Sequence, residues 1–136
     1  MISYDEIGIM LDEIAGGIPD DLFRELNGGV ILLPDTQLHP ESGGADNLYI
    51  LGQYHNQPRG LGRYITIYYG SFIRVYGYCT PDRQKEELKK IVFHEFRHHL
   101  ESLAGDRSLE IQDAVDIAKY KNRILKNFKK IKKSVD

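Results

Sequence analysis

Apolar residues recur at helical spacing at the start of the chain. Ile7, Met10, Leu11 and Ile14 share one face and predict a helix over residues 4–15. Gly16-Gly17 ends it, and Pro19-Asp20-Asp21 opens a short second helix through Leu26. After the turn Asn27-Gly28-Gly29 the pattern changes. Val30 to Leu33 is an unbroken apolar run, the mark of a short buried strand. Leu48 to Tyr54 and Tyr64 to Tyr69 predict two more strands. The stretches 34–47 and 55–62, rich in Pro and Gly, are loops. Phe72 to Tyr76 either extends the sheet or forms a helical turn. A long helix follows over about 81 to 103, with Leu88, Val92, Phe96 and Leu103 as its core stripe. A last helix is predicted from about 109 to 133. A short sheet with helices before and after it is an α+β arrangement. At 136 residues the chain makes one domain with a modest core.

The long helix carries its own punctuation. Thr80-Pro81 supplies an N-cap and a proline at the first helical position. Asp82, Glu86 and Glu87 put negative charge near the positive end of the helix dipole, and Gly105 is the stop.

That helix contains His94-Glu95-Phe96-Arg97-His98, an H-E-x-x-H segment. Histidines four apart lie about 40° apart around the axis and one turn along it, so both can grip one cation. Glu95 falls on the flank between this face and the buried one, within reach of a water at the cation. His99 points toward the core stripe and is a supporting residue. A catalytic zinc site takes a third protein ligand and leaves a position for water. The carboxylates available are Asp106, Glu110, Asp113 and Glu101. Asp106 is placed first, because Gly105 lets the chain turn back, and Glu110 second. Glu101, three residues past His98 on the same helix, is poorly placed to share a metal with both rings.

The stretch Ile91 to Leu100, with its H-E-x-x-H-H core, resembles the small bacterial zincin-like metallopeptidases, the minimal zincins. Arg63 to Gly70 resembles the strand that precedes the active-site helix there, and Gly52-Gln53-Tyr54 with its Pro/Gly/Arg loop also fits. The resemblance covers about residues 4 to 116. It implies a zincin-like fold, with a short mixed sheet packed against the H-E-x-x-H helix and flanking helices. It implies His94 and His98 as ligands to Zn²⁺, an acidic third ligand such as Asp106, and Glu95 as general base. Better-known members have a glycine after the histidine pair; here Glu101 stands in that place, and Gly105-Asp106 follow. In zincin-type sites an edge strand beside the metal can pair with an extended peptide, and the 64–69 strand is the candidate. Metzincins do not fit: this chain lacks the third histidine of H-E-x-x-H-x-x-G-x-x-H, and Met1 and Met10 lie far upstream. Peptide deformylases do not fit either, since Tyr78-Cys79-Thr80 is not their cysteine motif. Cys79 is a small apolar residue near the helix start.

Composition narrows the setting. No apolar run is long enough to span a membrane, and Met1-Ile-Ser-Tyr-Asp-Glu lacks the features of a signal peptide. With one cysteine there is no disulfide framework, and the cytoplasm is the expected compartment. Nine tyrosines include Tyr68 and Tyr69, the expected candidates for stabilising an oxyanion over the metal. Lys119 to Asp136 holds eight basic residues and one acidic, against ten basic and nineteen acidic before it. Residues 118–136 therefore form a basic helical tail, a solvated face or a contact for nucleic acid or an acidic surface. The leading expectation is a zinc-dependent peptidase acting on a peptide or protein substrate. The alternatives are a non-catalytic binding protein that keeps the scaffold and uses the tail, and a zinc hydrolase of another amide.

Overall fold

The computed structural model describes residues 1–41 and 48–105. The predicted final helix and the basic tail lie outside the described residues. The order is α1 (Tyr4–Gly16), a 3₁₀ turn (Asp20–Phe23), β1 (Gly29–Leu33), β2 (Gln37–Leu38), β3 (Tyr49–Ile50), β4 (Gly52–Gln57), β5 (Gly62–Tyr68), α2 (Tyr69–Tyr76) and α3 (Pro81–Ala104). The chain is α+β.

Both long helices start where their capping chemistry dictates. Ser3 accepts from the Glu6 N–H at 3.1 Å while the Glu6 carboxylate accepts from the Ser3 N–H at 3.2 Å, a complete capping box. The Thr80 hydroxyl accepts from the Arg83 N–H at 3.3 Å, Pro81 follows, and Gly105 closes α3.

The main sheet has three strands in the order β1-β5-β4. β1 runs parallel to β5 and β4 antiparallel to it, so the sheet is mixed. The expectation that the 64–69 strand is an edge is corrected. β5 lies in the middle, buried from Tyr64 to Tyr68, and β4 is the edge. The predicted strand 48–54 is also two pieces. Tyr49–Ile50 pairs with Gln37–Leu38 in a separate two-stranded ribbon, and only after Leu51 does the chain join the main sheet. β4 then runs on to Gln57, through residues predicted to be loop, and turns tightly. The Gly60 N–H donates to the Gln57 carbonyl at 3.0 Å, and Gly62 takes a φ of +72° that disfavours other residues. Phe72 to Tyr76, which could extend the sheet or form a helical turn, is helical, and α2 begins at Tyr69, the residue expected to end the strand.

One face of the sheet meets the helices. Ile65 and Ile67 of β5 are fully buried with Ile7 of α1 and Leu88, Val92 and Phe96 of α3. The α3 stripe is the predicted one, widened by Leu100 and His99. His99 is fully buried yet fully satisfied. Its Nε2 lies 2.8 Å from the Arg24 carbonyl, which can only accept, so Nε2 carries the proton. Its Nδ1, 2.9 Å from the Tyr54 hydroxyl, then accepts from it. Burial drives the His99 pKa down to about 4.

Gly52 sets how closely β4 approaches α3. A Cβ there would lie 2.8 Å from Ile91 Cγ2, 3.2 Å from Ile67 Cδ1 and 3.4 Å from Glu95 Cγ. A side chain at this position must push strand and helix apart.

Two outcomes follow. Gly52→Ala is expected to lose about 1–3 kcal/mol of stability by overpacking, measured as a lower urea midpoint. The buried His99 refuses a proton that the unfolded chain accepts below its ordinary pKa. Stability from this group is therefore complete above about pH 6.5 and falls as pH drops toward 4, by on the order of 3 kcal/mol. In chelator-treated protein, urea midpoints between pH 7 and 4 should fall more steeply for the natural chain than for His99→Gln.

Candidate metal centre

Helix α3 brings the two histidines together as its period requires. His94 Nε2 and His98 Nε2 lie 3.1 Å apart, with the rings edge to face at an interplanar angle of 88°. Both side chains are exposed, while Glu95 beside them is buried, 6% accessible. One donor atom from each of His94, Glu95 and His98 falls within 4.8 Å of the others. Zn–N bonds of about 2.05 Å at a tetrahedral angle would separate two ligand nitrogens by about 3.3 Å. The observed spacing of the rings fits that bite.

The ring protons refine the fit. His98 Nδ1 faces the Glu101 carboxylate at 3.8 Å, which favours the proton on Nδ1 and leaves the Nε2 lone pair free. Glu101 thus approaches the outer nitrogen of His98, away from His94. It stands beside that ring and is not among the three residues whose donor atoms lie within 4.8 Å of one another. His94 is held differently. Its Nδ1 lies 3.3 Å from Arg97 Nη2, which can only donate, so the proton of His94 sits on Nε2 and donates to His98. A cation between the two Nε2 atoms would require that proton to move to Nδ1 and Arg97 to turn away. Partial desolvation first, then His98 and Arg97, lower the His94 pKa against an opposing effect of Glu101, and the lowering favours the neutral form that a ligand must have.

Glu95 points inward from the same turn. Burial raises its pKa to about 7, opposed by a hydrogen bond from the Tyr54 backbone N–H and by the charge of Arg97. Leu51 O accepts from Tyr68 N–H at 3.0 Å, so the odd residues of β4 pair with β5 and the even ones turn their backbone groups outward. The Tyr54 N–H is one of those outward groups. The edge strand therefore grips the carboxylate directly.

His94, Glu95, His98 and Glu101 line one open cleft with Gln53 and Tyr54. His39, which no spacing in the sequence singled out, lines it as well; it precedes the 42–47 stretch and nears the helix only through the β2-β3 ribbon. Asp106, Glu110 and Asp113 lie outside the described residues. The expectation for Tyr68 and Tyr69 is corrected. The Tyr68 hydroxyl donates to Gln53 Oε1 at 2.9 Å and that of Tyr69 to the Ile2 carbonyl at 2.8 Å, so both are committed to packing. Tyr54 lines the cleft in their place. Among the described residues, no helix is long and apolar enough to cross a membrane. No family model matches the chain, and no curated protein matches it.

Loss of one imidazole should remove most of the metal affinity. His94→Ala and His98→Ala are each expected to weaken Zn²⁺ binding at least tenfold in calorimetric titration at neutral pH. Glu101→Gln should weaken it less, by about tenfold at most, through loss of ring orientation. Arg97→Ala should strengthen it, because the competing donor to His94 is gone.

Proposed function

We propose that this chain is a zinc-dependent peptidase of the zincin-like kind. The observation that carries the reading is the pair of Nε2 atoms 3.1 Å apart on α3, with the buried carboxylate of Glu95 beside them under the edge of the sheet. The H-E-x-x-H-H resemblance supports the same assignment. His94 and His98 would hold the metal, with Asp106 the first candidate for a third ligand. Zn²⁺ bound there supplies a Lewis acid for a carbonyl and brings the pKa of water to roughly 7.

The chain's own residues do the remainder. Glu95, held by the Tyr54 N–H, takes the proton of the attacking water and passes it to the leaving nitrogen as the amide bond breaks. Tyr54 also ties the edge strand to His99 through its hydroxyl, so the strand and the helix hold one geometry.

One observation favours a second reading, a scaffold that binds a partner without turnover. The Arg97 contact holds His94 in the tautomer that cannot ligate through Nε2. That reading expects sub-stoichiometric zinc and no hydrolysis. Glu95→Gln separates the two. It is expected to retain zinc at the natural stoichiometry and to lose peptide hydrolysis by about 10²-fold or more. Unchanged turnover in that variant would exclude the mechanism.

A further inference from the structure

The cleft at the histidines is the middle of a longer groove. Toward the end of α3 it shares Glu101 and Ser102 with a polar hollow that Asn56 and Arg63 also line. Toward the start of α3 it shares Ile50, Gly52, His94 and Glu95 with a lobe of about 400 Å³. The walls of that lobe are Ile50, Leu51, Ile91 and Tyr76, and Glu87 and Lys90 stand among them. The groove follows β4, whose six residues extend about 20 Å. Glu95 lies inside its length, with room on both sides among the described residues.

Among the described residues, the charged groups along the groove are engaged. Lys90 Nζ lies 3.1 Å from Glu87 Oε1, and Arg83 Nε lies 3.0 Å from the same oxygen. Glu101 faces His98. A site for chain ends needs a charge held ready for a terminal carboxylate or ammonium, and these groups already have partners. The edge strand offers outward backbone groups, which recognise a main chain anywhere along its length. In the lobe Glu87 is held by Lys90 and, from outside its walls, by Arg83, and Glu95 is buried, so no carboxylate there is held ready for a basic side chain and apolar walls dominate.

Resting on the peptidase reading, we propose that the site cuts within extended polypeptide and not at chain ends, and that the lobe under Tyr76 and Ile91 selects a bulky apolar side chain beside the scissile bond. An unfolded segment is the substrate class, because only an extended backbone can lie along β4 and place a side chain in the lobe together.

The test uses the zinc-loaded full chain and a mixed peptide library in two forms, one with free ends and one acetylated and amidated, with products read by mass spectrometry. Interior cuts at equal rates in both forms are expected, with Leu, Met, Phe or Tyr at one fixed position next to the cut favoured about tenfold or more over Lys and Arg. Ile91→Phe, which fills the lobe, should move that preference toward Ala and Gly; Ile50→Phe is the second variant should the first not fold. Cleavage confined to free ends, or interior cleavage with no preference at that position, overturns the proposal while leaving the peptidase reading intact. No cleavage of either form overturns the peptidase reading. In that case, binding of the blocked library by the Glu95→Gln protein keeps the groove as a polypeptide site, and failure to bind removes it too.

Discussion

The close seating of β4 on α3 is the constraint on which the candidate site depends. A helix alone can place His94 over His98, because four residues make one turn. It cannot supply the Tyr54 N–H that holds Glu95, nor the strand edge above the rings. Those come from a backbone that passes over Ile91 and Glu95 at a distance only glycine permits. Two anchors keep it there. Tyr54 reaches across the interface to His99, and Ile67 presses on Gly52 from β5. His99, next in the chain to a metal-binding candidate, thus serves as the peg that fixes strand to helix.

Local signals in the sequence were read correctly, and signals that depend on pairing were not. The cap at Thr80, the stop at Gly105 and the stripe Leu88-Val92-Phe96-Leu103 are all matched by the structure, since each is decided within one or two helical turns. The inward turn of His99 followed from the same periodicity. The edge assignment failed for a physical reason. Tyr64 to Tyr68 is buried residue after residue because it has neighbours on both sides, and nothing within a strand says which partner lies beyond it. The break at Leu51 was hidden likewise. Residues 48–54 hold enough apolar character for one strand, and the ribbon with Gln37-Leu38 divides it. Tyr68 and Tyr69 were attractive by proximity in sequence, but the strand-to-helix corner at that point turns both hydroxyls to other partners.

The site balances two opposing demands on charge. Burial pushes Glu95 toward its protonated form, while the Tyr54 N–H and Arg97 pull it back, and the result lies near neutrality. Partial desolvation, His98 and Arg97 favour the neutral form of His94. A cation at the rings would favour the Glu95 carboxylate and neutral imidazoles together, so its arrival relieves both costs with one charge.

Arg97 is where these demands collide. It sits three residues from His94, close enough to donate to Nδ1 and to place a positive charge beside any metal the ring would hold. In electrostatic terms it opposes metal loading, yet the same charge helps keep Glu95 ionised. Metal affinity and the ionisation of the base are therefore set against each other through one side chain. Its long, partly exposed stem allows the guanidinium to leave His94 for solvent when the ring changes tautomer, at the cost of one 3.3 Å hydrogen bond. A weak contact of that length, about 1 kcal/mol or less, is small beside the free energy of a structural zinc site. In the proposed site the release of this contact would therefore be a small cost beside metal binding.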